Sequence, residues 1–144
     1  MNTPPKEDNN PKTAQFVRRK SSETALDLSS KASRDNEKRE RNLNFVLAQI
    51  TILFNDVEKL ASLGREHFES DWVARRTAKN IVTEIGEAVG RLRESYTKEF
   101  PGFNWSLPVG ARHRIVHDYE NVDPVIIWTV LSDDVPAMRA TLAL

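Results

Sequence analysis

Eight residues near the C-terminal end, Arg112-His113-Arg114-Ile115-Val116-His117-Asp118-Tyr119, hold two arginines, two histidines, an aspartate and a tyrosine. His113 and His117 are four apart, so on a helix they share one face, about 40° from each other. Zinc sites use that spacing, but a third protein ligand is needed, and the nearby carboxylates Asp118 and Glu120 are scattered, with no HExxH glutamate. Arg112 and His117 are separated by four residues, which on a regular helix sets them roughly 140° apart and about 7.5 Å along the axis. One straight helix does not aim both at a single atom. Either the helix breaks near His117, or two copies of it meet in a homodimer and complete a site together.

Such a set suits phosphodiester cleavage without a metal or other cofactor. An imidazole can move a proton on or off an RNA 2′-hydroxyl, and a guanidinium can brace a charged phosphorane through two parallel hydrogen bonds. The plain alternative is a solvated helix end with Ile115 and Val116 turned to the core. Spacing alone favours that alternative, because R-x4-H is a weak pattern. His67 stands alone in a polar segment and reads as surface.

The elements that must position these residues follow from apolar periodicity. Leu43, Val46, Ile50, Leu53, Val57 and Leu60 are spaced for one long amphipathic helix from about Glu37 to near Gly64. After a short segment, Arg65 to Ser70, Asp71 is placed to cap a second long helix running to about Tyr96. Its stripe is Ala74, Ala78, Ile81, Ile85, Val89 and Leu92. Phe100-Pro101-Gly102-Phe103-Asn104-Trp105 is turn chemistry with three aromatics. Ser106 is expected to cap a third helix with Pro108 in its first turn, and this helix contains the octapeptide. Asp123 then caps a last helix with Pro124 at its first position, an apolar face of Ile127, Val130, Leu131, Met138 and Leu142, and a kink at Pro136. The expected fold is all-α, an up-and-down bundle of four to five helices over residues 38–144.

Residues 1–37 are poor in large apolar side chains, carry Pro4, Pro5, Pro11 and the basic run Arg18-Arg19-Lys20, and read as a disordered arm. The 144-residue chain has 21 basic and 21 acidic side chains, so no overall positive field draws it to nucleic acid; a local patch must do so. Arg75, Arg76 and Lys79 form one basic stripe that could track an RNA backbone, although solvated helix surface is the commoner meaning. Glu87 and Arg91 make an i,i+4 pair, and Glu87 could instead orient Arg112 if it faces the third helix. The absence of cysteine excludes a disulfide framework and a thiolate nucleophile. The longest apolar run, Phe45 to Phe54, is too short to span a bilayer, and the N-terminus lacks an apolar signal core, so a cytoplasmic protein without membrane contact is expected.

Taken together in order, EIGEA (Glu84 to Ala88), FPGFNW, RHRIVHDY and ENVDPVIIWTVLSDDVPAMR resemble the HEPN-domain ribonuclease toxins of the HepT type, over roughly residues 40–144. Arg112 matches the family's arginine, His113 its polar position, His117 its histidine, and Tyr119 the tyrosine of its extended H-x-Y form. The resemblance implies a HEPN-like helical homodimer that cuts RNA without metal, with Arg112 and His117 catalytic and His113 supporting. It also implies a cognate minimal nucleotidyltransferase antitoxin that transfers AMP from ATP to Tyr119. The competing expectation is a non-catalytic helical module that binds a nucleotidyltransferase or nucleic acid.

Overall fold

The computed structural model describes residues 24–96 and 98–144, which are helical apart from turns, with no strand among them. The all-α expectation is met. The described residues fall into two units, with the boundary between Arg41 and Asn42. Residues 1–23, with most of the expected arm and its basic run, lie outside the described residues.

Helix α1 spans Ala25–Ser62, starting well before the expected Glu37. Its first part, to Arg41, is exposed all round, with Leu26 81% exposed. Short-range bonds support it: the Thr24 carbonyl accepts from the Asp27 N–H at 2.9 Å, and Asn36 Nδ2 donates to Glu40 at 3.4 Å. Apolar periodicity is silent on such a segment, which good helix formers such as Ala, Leu, Lys, Glu and Arg hold helical without a buried face.

In the second unit the expected stripe is buried: Val46, Ile50, Leu53, Val57 and Leu60 lie inside together with Phe54. Leu43 is packed at the edge of the core. The helix ends where expected, because Gly64 takes φ +90°, a left-handed backbone that favours glycine. Helix α2 (Arg65–Ser70) follows directly and sinks Phe68 against Trp128, ring centroids 5.4 Å apart. Asp71 then caps α3 (Trp72–Tyr96), its Oδ1 accepting the Val73 N–H at 2.8 Å. The buried face of α3 is Ala74, Ala78, Val82, Ile85, Ala88, Val89, Leu92 and Tyr96; Ile81 is only half-buried.

Phe103 and Trp105 are buried edge to face, centroids 4.7 Å apart, in the turn before α4 (Ser106–His117). Here the cap differs from expectation. Ser106 is already inside the helix, and Asn104 Oδ1 accepts its N–H at 3.2 Å. Asn and Ser are both good caps, and the sequence offered one of each two positions apart. Helix α5 (Pro124–Thr129) starts as expected, with Asp123 Oδ1 on the Val125 N–H at 2.9 Å.

A π-helical turn, Val130–Asp134, joins α5 to α6 (Val135–Leu142). The Val135 N–H reaches back to the Val130 carbonyl, five residues away. The widened turn ends two residues before Pro136, where the proline ring removes one donor and crowds the preceding turn. Ile127, Val130, Leu131, Val135, Met138 and Leu142 face the core. Arg139 ties the end down, donating to Glu58 of α1 at 2.7 Å and to the Leu144 carbonyl at 3.0 Å.

A groove of about 340 Å³ runs between α4 and the α5–π segment, with Arg114 and Asp134 among its lining residues. Burial, and then the neighbouring Asp133 charge, push the Asp134 carboxyl above its ordinary value of 3.8. A carboxyl whose folded pKa is raised binds its proton more tightly in the fold, so this group's effect on stability improves as pH falls. Asp134→Asn is therefore expected to raise the urea midpoint near pH 7. The advantage should shrink as pH drops through the folded pKa and vanish below 3.8. An advantage that grows on acidification contradicts this reading.

Candidate active site

Glycine decides how close α4 comes to α3. A Cβ on Gly86 would overlap the Arg112 Cβ and stand 2.6 Å from the Pro108 carbonyl oxygen. Gly90, one turn on, faces Val109 at ordinary contact distance. The Gly86-x3-Gly90 spacing thus makes one smooth stripe, against which α4 lies. Between the helices is an open cleft of about 520 Å³ lined by Gly86, Glu87, Gly90, Arg91, Val109 and Arg112.

Arg112 rises from this contact and meets Glu87: Nη2 to Oε1 at 3.2 Å and Nε to the same oxygen at 3.4 Å. The side chains are 39% and 52% exposed, so the pair adds at most about 1 kcal/mol to stability and chiefly fixes direction. Arginine carries five N–H donors, so about three remain free for an incoming anion. Glu87 therefore does orient Arg112. The i,i+4 pairing with Arg91 does not form; Arg91 instead donates to Gln49 of α1 at 2.9 Å.

On the solvent side of α4, the His113 and His117 rings lie against each other in a tilted arrangement, centroids 4.2 Å apart and planes 48° from each other. Both are exposed. Ile115 is buried as expected, whereas Val116 is 53% exposed, because its position on the helix turns it away from the core that Ile115 enters. Helix α4 continues regularly to His117 and ends there, with Asp118 at φ −141° and ψ 47°. The break leaves the divergence intact: Arg112 pairs with α3, and His117 pairs with His113. Among the described residues no three His, Cys, Asp or Glu side chains gather to hold a metal ion.

Tyr119 lies past the helix end, half-buried. Lys79 of α3 donates to its carbonyl at 2.6 Å and stands 4.7 Å from its ring centroid. This breaks up the basic stripe, since Lys79 is engaged with Tyr119 and Arg75 donates to the Glu69 carbonyl. Arg76 remains exposed. His67 is at the surface, 3.5 Å from Asp71. Sequence reading placed Lys79 in a basic stripe and missed its pairing with Tyr119, forty positions away; it also missed the role of Gly86, which only the Gly-x3-Gly spacing within EIGEAVG signals.

The helical unit thus carries an arginine-lined cleft and an exposed imidazole pair on one short helix. The sequence model of the family described as "Ribonuclease HepT-like" matches residues 47–143, and the chain belongs to that family. It is similar to a candidate RNase of Methanocaldococcus jannaschii, 26% identical over 100 residues, which covers 69% of this chain and 92% of the relative. A candidate RNase of Caldanaerobacter subterraneus subsp. tengcongensis is 27% identical over 83 residues, 58% of this chain and 74% of the relative. No solved structure matches the chain significantly. Among the described residues no helix is long and apolar enough to cross a membrane.

Gly86→Ala tests the close approach. Alanine gains about 1 kcal/mol of helix propensity, but overpacking against a Cβ root and a backbone carbonyl costs about 1–3 kcal/mol. A net loss of up to about 2 kcal/mol in urea unfolding is expected. A Gly86→Ala variant as stable as wild type, or more so, contradicts the close packing.

Proposed function

We propose that this chain is a metal-independent endoribonuclease toxin acting as a homodimer, with Arg112 and His117 at a cleft shared by two copies. The observation that carries the reading is the held Arg112. A guanidinium with unused donors projects into an open cleft, on the same short helix as an exposed imidazole it does not meet. Convergence of the two groups on one phosphate then calls for the second copy. Val116, Val125 and Ile126, exposed apolar side chains on α4 and α5, fit a face covered by another chain.

In the proposed reaction the RNA 2′-oxygen attacks the adjacent phosphorus, the bond to the 5′-oxygen breaks, and a cyclic phosphate and a 5′-hydroxyl result. His117 moves a proton at the 2′-hydroxyl or at the leaving oxygen. Arg112, aimed by Glu87, supports the charge on the phosphorane. His113, packed tilted against His117, limits the orientations of that ring. A cytoplasmic setting accords with the substrate.

Purified His117→Ala and Arg112→Ala are expected to keep the fold and dimer while losing about 10²–10⁴ of RNA cleavage measured in the presence of chelator. Wild-type activity that disappears with chelator moves the reading to a metal enzyme. Unchanged cleavage by either variant leaves the non-catalytic binding module as the reading.

Regulation is proposed to act at Tyr119 through a cognate minimal nucleotidyltransferase. The phenolic oxygen attacks the α-phosphorus of ATP, the bond to the pyrophosphate oxygen breaks, and the phenolic proton passes to solvent. The AMP group adds bulk and negative charge two positions past His117, where it repels RNA phosphate. With the partner and ATP, mass spectrometry is expected to find one added AMP on wild type and none on Tyr119→Phe. Equal addition to the Phe variant moves the acceptor elsewhere.

A further inference from the structure

Lys79 makes two contacts to Tyr119 from a distant helix. Its Nζ donates to the Tyr119 carbonyl at 2.6 Å and lies 4.7 Å from the centre of the ring. An ammonium has three donors and can serve a carbonyl while lying over a π face. The half-buried side chain is rooted between Ala78 and Val82, both buried, and Thr83 Oγ1 binds the Lys79 carbonyl at 2.8 Å. Lys79 therefore has a fixed origin.

The turn after α4 has bonds of its own. The Asp118 carbonyl accepts the Asn121 and Val122 N–H groups at 3.1 Å each, and Asn121 Nδ2 donates to the Asp118 carboxylate at 2.7 Å. These fix the path of the backbone around residue 119, but none touches the Tyr119 side chain. Lys79 is on the ring face. Glu120 and Asn121, the next two residues, line a pocket of about 240 Å³ with Arg75 and Lys79, so the turn is open to solvent on that side.

We propose that Lys79 is a positioning residue for Tyr119, holding the ring in the orientation in which its hydroxyl receives AMP. This rests on the reading of Tyr119 as AMP acceptor given above. Lys79 forms no bond and moves no proton in the transfer. It fixes the ring so that the phenolic oxygen is presented from one direction. The chain's other tyrosine, Tyr96, is buried, so presentation as well as residue type separates the two.

The test compares wild type, Lys79→Met, Lys79→Arg and Tyr119→Phe, incubated with the cognate nucleotidyltransferase and ATP at a temperature where circular dichroism finds all four folded. AMP addition followed by intact mass is expected to slow by about tenfold or more in Lys79→Met and to recover in Lys79→Arg, whose guanidinium can also donate and stack. RNA cleavage by unmodified Lys79→Met is expected to stay within about twofold of wild type, since Lys79 lies outside the proposed catalytic pair. Nitration by tetranitromethane gives a readout without the transferase: the Tyr119 peptide should be modified faster once its ring is released. Lys79→Gln takes the place of Lys79→Met if the latter unfolds. An unchanged AMP rate in Lys79→Met, with none added to Tyr119→Phe, overturns the role of Lys79 alone. Equal AMP on Tyr119→Phe overturns the acceptor reading, and this one with it.

Discussion

Everything around the cleft depends on the absence of a side chain at Gly86. Two helices normally pack 8–10 Å apart through interleaved side chains. Here α3 and α4 come together where a Cβ would overlap Arg112 and crowd the Pro108 carbonyl. Glycine inside a helix costs about 1 kcal/mol relative to alanine, and α3 carries two, one turn apart. The cost is offset by the packing the approach permits: Ile85, Val89 and Leu92 on α3 and Ile115 on α4 are all but sealed from solvent. The same approach roots Arg112 directly on the surface of α3, within reach of the Glu87 carboxylate.

Once α4 is docked, its helical repeat assigns the octapeptide to separate surroundings. Ile115 goes inward, Arg112 toward α3, His113 and His117 outward, and Arg114 into the groove that also contains Asp134. Successive residues are turned by 100°, so neighbours in sequence cannot share one surface. A dense run of reactive residues is thereby split into a guanidinium on one side and an imidazole pair on another. The Arg112 to Glu87 bonds, at 3.2 and 3.4 Å and half-exposed, are long enough and wet enough for an anion to compete for the guanidinium.

The amphipathic elements were legible because they bury a face. The stripe of α1, that of α3 except for Ile81, whose place in the core Val82 takes, the glycine stop at Gly64 and the caps Asp71 and Asp123 stand where periodicity and cap chemistry put them. What escaped was governed by other physics. The exposed start of α1 has no buried face to leave a pattern. At the start of α4 the side-chain acceptor is Asn104, two positions before the expected Ser106, within the same polar turn. The choice of Glu87 between Arg91 and Arg112 depends on how close two helices approach, which the Gly-x3-Gly spacing hints at without naming a partner. Lys79 and Tyr119 meet across forty positions, and no local rule reaches that far.

On the proposed reading, the groups that handle RNA and the group that is modified are mounted differently, and the difference has a physical use. Arg112, His113 and His117 stand on a helix pinned by Ile115 and by the Gly86 contact, which suits side chains that must hold a fixed geometry. Tyr119 stands two residues beyond the helix end, in a turn fixed by Asp118 and Asn121, where another protein's active site can reach a side chain without unfolding a core element. An acceptor far along the turn would be too distant for its added charge to act on the cleft. The second position past His117 keeps an added phosphate charge next to the imidazole pair while the acceptor itself stands outside the helix. A residue so placed has lost the helix as its support, and a contact from α3 takes over that role.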